Sequence, residues 1–355
     1  MLVDSGEGGV KPAGVVGNND RSDACLASMR HGHVESILES IRRYSNHRVT
    51  LLAGGVGGAR MAQALRHVLD PGLLTVVVNV GDDTKRYGIH VAADPDTVLY
   101  TLAGVVGPHG WGRADDTHKA MESLAAMGFD TSFSLGDRDL AMCLARTDML
   151  DKGMPMSEIT AILARALGMT DVTILPATDD VVRTFVRTEI GEWLEFQEYF
   201  VDRSHADPVS ALAFHGAAEA DPAPGVIEAI RSADTLVIAP SNPPLSIWPI
   251  LAVDEIDLAV REHSHRAAVS PLFSGAALKG PATEVMAGVG LSRGTEGVLE
   301  AYRGLIDHLF VDESDSDDMT LGAAFDVAIH AANTRLSGED GGAAFAGQLL
   351  EVVAR

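Results

Sequence analysis

Five short segments carry residue types suited to phosphate and metal chemistry, and each follows an apolar run or opens a helical one. The first is Gly54-Gly55-Val56-Gly57-Gly58-Ala59-Arg60. Glycine lets the backbone approach a phosphate closely and turn sharply into a helix. The free N–H groups and partial positive charge at the helix start then face the anion. Gly54, Gly55, Gly57 and Gly58 are therefore candidates for holding a nucleotide's phosphates. A structural strand-to-helix turn would also accept glycine, but four glycines in five positions favour a ligand. The segment is not a Gly-x-x-x-x-Gly-Lys-Ser/Thr loop, and it matches a dinucleotide fingerprint only loosely.

The second segment is Asn79-Val80-Gly81-Asp82-Asp83-Thr84-Lys85-Arg86. Asp82 and Asp83 can approach a metal or a hydroxyl, and Lys85 and Arg86 can meet phosphates. A solvated turn explains the segment equally well. The third is Asp94-Pro95-Asp96-Thr97, where two carboxylates at a helix start can bind Mg²⁺ through oxygen. On the residues alone, helix capping is the better account of at least one of them. The fourth is Leu135-Gly136-Asp137-Arg138-Asp139. It suits a metal, a polyol or a phosphate fork from Arg138, and suits a cap with a surface ion pair just as well. The fifth is Pro240-Ser241-Asn242-Pro243-Pro244. Its prolines fix the loop's shape, and Asn242 offers a donor and an acceptor to a base or ribose edge. Rigid loop geometry is the alternative.

Other chemistries find no support. The thirteen histidines form no His-Glu-x-x-His pattern, and no Gly-x-Ser-x-Gly elbow is present. Cys25 and Cys143 have neither metal-site spacing nor enough partners for a disulfide framework, which fits a reduced cytoplasmic compartment. A net charge of −23 repels nucleic acid and anionic membranes, so an anionic ligand needs a local positive pocket or a metal ion. No apolar run reaches the roughly 18 residues of a membrane span, and the N-terminus has no apolar signal core.

The elements that position these segments read as α/β. Val49 to Ala53, Leu74 to Val80, Val172 to Leu175, Thr235 to Ala239 and Arg266 to Ser270 are short, β-branched runs bounded by turns, as in parallel strands covered on both faces. A helix follows the glycine loop to about Leu69, closing a right-handed βαβ unit. Helical spacing recurs at 96–104, 116–127, 139–150 and 157–167, a helix-rich insert at about 95–170. Val181 to Glu189 and Trp193 to Phe196 suggest a hairpin, and the acidic run Asp312 to Asp318 a solvated loop. The expectation is a doubly wound, mainly parallel, Rossmann-like sheet, with its ligand outside the carboxyl ends of the strands. Residues 1–47 read as a poorly ordered extension without a functional role, with a short helical pattern at 33–44.

In this order, the glycine loop, TVVVN, DPDTVLYTLAG, LGDRD, ILPATDD, APSNPPLSI and AVSPLFSGAALKGPA resemble the 2-phospho-L-lactate transferase family of coenzyme F-420 biosynthesis. Single pieces are weak, whereas seven in order are specific. The GGVGGAR form of the loop resembles actinobacterial members, called phosphoenolpyruvate transferases; archaeal relatives have Gly-Thr-Gly where this chain has Gly-Val-Gly. The resemblance runs from about Arg48 to the C-terminus, and residues 1–47 have no counterpart in the pattern.

The resemblance implies a Mg²⁺-dependent transfer from a guanosine diphosphate ester of phosphoenolpyruvate or phospholactate. The acceptor is the terminal ribityl hydroxyl of the deazaflavin Fo, and GMP leaves. It implies that Gly54, Gly55, Gly57, Gly58 and Lys85 hold the donor's phosphates, and that Ser241, Asn242 and Pro243 face the guanosine. Asp94, Asp96 and Asp137 become candidates for Mg²⁺ and the ribityl hydroxyls, one of them as base, and Arg138 for charge stabilisation or Fo. A homodimer is also implied. Two rival readings are a nucleotide-sugar-binding regulator of the same fold, which need not keep the aspartate pairs, and an NAD-dependent oxidoreductase. The oxidoreductase would want an acidic residue where Asn79 ends the second strand.

Overall fold

The computed structural model of the protein describes residue 44 and residues 46–278 and 280–354. Residues 1–43, including nearly all of the 33–44 helical pattern, lie outside the described residues.

The chain opens with β1 (Val49–Ala53), α1 (Gly55–Val68) and β2 (Leu74–Val78). Every residue of β1 is buried, because helices cover both faces of the sheet. A small hairpin follows, β3 (Thr84–Arg86) with β4 (Ile89–Val91). Four helices then precede the next sheet strand: α2 (Ala93–Leu102), α3 (Lys119–Ala126), α4 (Asp137–Asp151) and α5 (Met156–Ala166). After β5 (Val172–Pro176) comes an antiparallel trio of β6 (Arg183–Thr188), β7 (Trp193–Glu195) and β8 (Val209–His215), with β6 in the middle.

The second half alternates again: α6 (Val226–Ser232), β9 (Thr235–Ile238), α7 (Trp248–Leu251), α8 (Asp254–Glu262) and β10 (Arg266–Val269). The short hairpin of β11 (Leu272–Phe273) and β12 (Ala276–Ala277) leads to α9 (Ala282–Gly288) and α10 (Gly294–Ala301). Then come β13 (His308–Asp312), β14 (Ala328–Ala332) and α11 (Gly338–Val353).

Seven strands form one parallel sheet in the order β14-β13-β10-β9-β1-β2-β5. The chain winds from β1 outward through β2 and β5, then returns to β9 on the other side of β1 and winds the opposite way. The reversal therefore falls between β1 and β9, which pair in parallel. Loops leaving those two strands diverge to opposite faces, and the crevice between them is where such sheets bind ligands. Both loops were singled out from the sequence, Gly54 to Gly58 after β1 and Pro240 to Pro244 after β9.

Two apolar cores cover the two faces of the sheet. One packs α1, α2, α5 and α11 on β1 and β2, and the other packs α6, α8 and α10 on β9, β10 and β13. The helix α11 lies against α1, where a side-chain carbon on Gly342 would come within 3.2 Å of Ala64 Cβ. Its glycine-rich start hides the helical period, and β8 and β14 likewise lacked a readable pattern. The acidic run after β13 is a 3₁₀ stretch, Glu313–Ala324, rather than a fully solvated loop. Asp312 and Asp315 are buried because Asp312 accepts from Ser314 and Asp315 from the Gly275 amide, tying the run to the β11–β12 turn.

At the other end of β13, His308 Nδ1 and His330 Nε2 meet at 3.0 Å between β13 and β14. Burial holds both rings below the ordinary histidine range, His265 lowers His308 further, and His308 lowers His330 further. A depressed histidine pKa destabilises the folded state once pH falls below the unfolded value of about 6.5, and contributes no penalty above it. The pair's own contribution to stability should thus fall between pH 7.5 and pH 5.5, whatever other groups of the protein titrate in that window. His330→Gln keeps a hydrogen-bonding partner for His308 and removes one titrating ring, so its melting temperature relative to wild type should be higher at pH 5.5 than at pH 7.5, as differential scanning fluorimetry would show. The same difference between the two proteins at both pH values would refute the assignment.

Candidate active site

The glycine loop is shaped first by its own protein. A side-chain carbon on Gly57 would lie 2.1 Å from the Pro240 carbonyl oxygen, and one on Gly58 2.9 Å from Ala53 Cβ. On Gly54 it would fall 2.6 Å from Asp94 Oδ2 and 2.7 Å from Ser246 Cβ. These three glycines let the start of α1 seat against the loop after β9. Ser241 locks that junction: its hydroxyl donates to the Gly54 carbonyl at 2.7 Å and accepts from the Gly54 amide at 3.2 Å. Gly55 differs, with a left-handed φ of +60° and no atom closer than 3.8 Å to an added carbon. Gly55, Val56 and Gly57 remain partly exposed, so the helix end is reachable from solvent. The Gly55 amide is engaged, while those of Val56 and Gly57 are first-turn donors with no partner inside the helix.

The Gly55 amide donates to Asp94 Oδ1 at 2.8 Å, and Asn79 Nδ2 donates to Asp94 Oδ2 at 3.0 Å. Asn79 is fully buried and accepts in turn from the Gly81 amide at 2.8 Å. Asp94 therefore joins the end of β2, the start of α2 and the glycine loop. It lies in the first turn of α2 but does not cap it, because its oxygens face the other two segments. Burial raises the Asp94 carboxyl to about 6, against the lowering effect of the Asn79 and Gly55 bonds.

More carboxylates crowd the same place. Asp82 and Asp83 are each 5% exposed, and the Oδ1 atom of each is buried with no hydrogen-bond partner among the described residues. Burial pushes both well above the usual carboxylate range, with Asp94 raising Asp82 further and Arg183 pulling Asp83 back. His90 Nε2 lies 3.4 Å from Asp83 Oδ2, yet burial, with Arg146 next, lowers His90 to about 3, so it stays neutral. Asp96 faces the other way, in an ion pair with Arg146. Burial lifts Asp96 to about 6, while Arg146 opposes the shift. Cys143 beside them is a neutral thiol, pushed up to about 12 by burial. Asp96, Asp139 and Cys143 bring ligand atoms within 4.8 Å of one another, a group able in principle to hold a cation. Such a site is acidic, water-poor and next to an anion-accepting helix end, an arrangement suited to phosphoryl chemistry with a divalent cation.

The remaining sequence candidates are placed differently. Asp137 takes a hydroxyl from Thr117 and the amides of Lys119 at 3.2 Å and Ala120 at 3.0 Å, so it serves the start of α3. Those donors hold its carboxyl below the ordinary value. Asp116 returns the favour to α4, accepting from the Arg138 amide at 2.9 Å and the Asp139 amide at 3.1 Å. The Arg138 side chain is exposed. Lys85 lines a cleft of about 470 Å³ with Arg86, Ser132, Glu198 and Arg203. Asn242 Oδ1 accepts from the Leu245 amide at 3.2 Å and shapes the turn that Pro243 and Pro244 continue. Sequence reasoning passed over Arg146 and Arg183, which look like ordinary surface positions until the fold buries one and aims the other. It also treated Asn79 only as a strand end.

The fold is that of a doubly wound α/β protein, with a glycine loop and buried carboxylates where the winding reverses. A profile of the family described as "2-phospho-L-lactate transferase CofD" matches residues 49–335, and the chain belongs to that family. A "Phosphoenolpyruvate transferase" of Streptomyces coelicolor is 42% identical over 280 residues, covering 77% of this chain and 88% of that one. One from Streptomyces griseus is 39% identical over 312 residues, covering 86% and 98%. A "2-phospho-L-lactate transferase" of Methanopyrus kandleri is 38% identical over 282 residues, covering 78% and 89%. Among solved structures, protein BH3568 from Bacillus halodurans shares the fold, with a TM-score of 0.58 at 16% identity over 86% of this chain and 99% of that one. No helix among the described residues is long and apolar enough to cross a membrane.

The loop geometry separates two glycines. Gly57→Ala forces a carbon against a backbone carbonyl that no rotamer can relieve, and should cost on the order of 3 kcal/mol. Gly55→Ala has room and incurs only the left-handed penalty of about 1 kcal/mol. Urea unfolding of the two variants checks this, and equal losses would count against it.

Proposed function

We propose that the protein transfers a phosphoenolpyruvyl or 2-phospholactyl group from its guanosine diphosphate ester to the terminal ribityl hydroxyl of Fo. The products are GMP and dehydro coenzyme F-420-0 or coenzyme F-420-0. One observation carries this reading: the unpartnered Asp82 and Asp83 oxygens lie beside Asp94, which is bonded to the glycine loop at the switch point. Family membership and the names of the relatives support the same activity.

The donor's phosphates would sit at the start of α1, on the amides of Val56 and Gly57, with its guanosine toward the turn at Ser241 and Asn242. The acceptor hydroxyl oxygen forms a bond to the phosphorus bearing the three-carbon acid. The bond from that phosphorus to the bridging oxygen breaks, and GMP leaves with the electron pair. We assign the hydroxyl proton to Asp83, whose Oδ1 is unpartnered and whose other oxygen is beside a neutral His90. Positioning in a water-poor pocket supplies much of the rate in such transfers.

The residues fit the Mg²⁺ that the resemblance implies. The donors are all oxygen, and one of them is a buried orphan on Asp82. Mg²⁺ is commonly held by one or two carboxylates together with substrate phosphates, and here Asp82 and Asp94 would hold it. Bound there, the ion would neutralise charge on the phosphates. Asp96 already has a cationic partner in Arg146, and Asp137 lies at an outer helix start, so we leave both out of the metal shell. A non-catalytic nucleotide-sugar binder has no use for unpaired buried carboxylates, which favours transfer over that alternative.

Purified protein with Mg²⁺, Fo and each guanylated donor should release GMP, and mass spectrometry of the product identifies the three-carbon unit. No GMP from either donor would sink the proposal. Asp82→Asn removes a buried charge surrounded by like charges. It should lower turnover by about 100-fold or more while raising the melting temperature of the metal-free protein at pH 8. Asp137→Ala should instead lower the melting temperature, with activity falling only as far as stability does.

A further inference from the structure

Asp94 and Asp96 open the same helix, yet they serve different partners. Asp94 faces the glycine loop and Asn79. Asp96, 5% exposed, is paired with the guanidinium of Arg146, itself 1% exposed. The same guanidinium reaches the His90 carbonyl at 3.4 Å and Cys143 Sγ at 3.9 Å. Asp139, close by, takes the Tyr100 hydroxyl at 2.7 Å. The acidic group of Asp96, Asp139 and Cys143 is thus already filled by a cation belonging to the protein. An arginine fork has no equal among side chains for this: it is always charged, planar and weakly hydrated, and so tolerates burial.

We propose that Arg146 is a positioning residue, the resident counter-cation that keeps Asp96 out of the metal shell and reserves Asp82 and Asp94 for the ion. This rests on the metal reading above. Without Arg146, a buried cluster of four like charges would offer alternative ligand sets, and the ion would have no single seat. With it, α4 is tied to the start of α2, and the Asp96 charge is spent inside the protein rather than on the metal.

The test is titration of the full-length protein with Mn²⁺ alone, with free Mn²⁺ read by electron paramagnetic resonance. Asp96→Asn leaves the Arg146 charge uncompensated next to the site and should weaken Mn²⁺ binding by about tenfold or more. Adding Arg146→Met removes that charge and should restore binding to within about threefold of wild type, a rescue that no ligand role for Asp96 allows. Arg146→Lys keeps the charge and should bind Mn²⁺ as wild type does. The double variant also removes the buried charge pair as a unit, so it stays foldable where a lone substitution leaves an unpaired ion. A double variant as weak as Asp96→Asn overturns the proposal, as does a tenfold change in Arg146→Lys. If wild-type protein binds no Mn²⁺, or Asp82→Asn binds it unchanged, the metal reading itself fails and takes this inference with it.

Discussion

A carboxylate taken out of water must find donors or a cation, and the Asp94 carboxylate finds both its donors in the protein backbone and in one buried amide. Its two oxygens tie the Gly55 amide to Asn79. That single group fixes the relation between the loop after β1, the end of β2 and the first turn of α2. The glycine loop cannot be read apart from it. Gly54 must lack a side chain so that Asp94 and Ser246 can come close, and Gly57 so that the Pro240 carbonyl can.

The consequence is a cluster of carboxylates that burial makes electrostatically unfavourable. Asp82, Asp83, Asp94 and Asp96 are all raised by burial; hydrogen bonds from Asn79 and the Gly55 amide offset part of this at Asp82 and Asp94, and Arg183 and Arg146 part of it at Asp83 and Asp96. Proteins keep such arrangements where a ligand or ion completes the charge balance, since a stable fold alone would select neutral residues there. The topology makes the place suitable. The winding reverses between β1 and β9, and sheets of this kind bind their ligands at such a reversal.

The reciprocal exchange between Asp116 and Asp137 shows the opposite use of the same residue type. Each caps the other's helix, α4 and α3 respectively, and each is met by backbone amides rather than left unpartnered. Two Asp-rich helix starts, nearly alike in sequence, thus differ in use: Asp94 reaches the glycine loop and Asp96 a buried arginine, whereas Asp137 holds a helix start. Burial is what separates them. Asp94 and Asp96 are covered by the sheet and α4, whereas Asp137 sits in an outer turn.

Much of this protein was legible in its sequence. Short β-branched runs between turns specified five of the seven parallel strands, β1, β2, β5, β9 and β10, because a strand buried on both faces admits little else, while β13 and β14 went unread. The glycine and proline loops marked the two segments that meet at the switch point, since only such residues make those turns. Seven ordered motifs pointed to the family. Other features came from tertiary structure alone. Whether an aspartate caps a helix or lies orphaned in a pocket depends on which distant segment covers it, and local spacing is the same in both cases. Arg146 occupies a helical position indistinguishable from a surface one until α4 packs against α2 and encloses it. The strands β8 and β14 and the helix α11 were silent because partial burial and glycine blur their periods. Sequence determined the elements and their order through local stereochemistry. Charge, burial and partnership were decided only when segments far apart in the chain came to share one low-dielectric space.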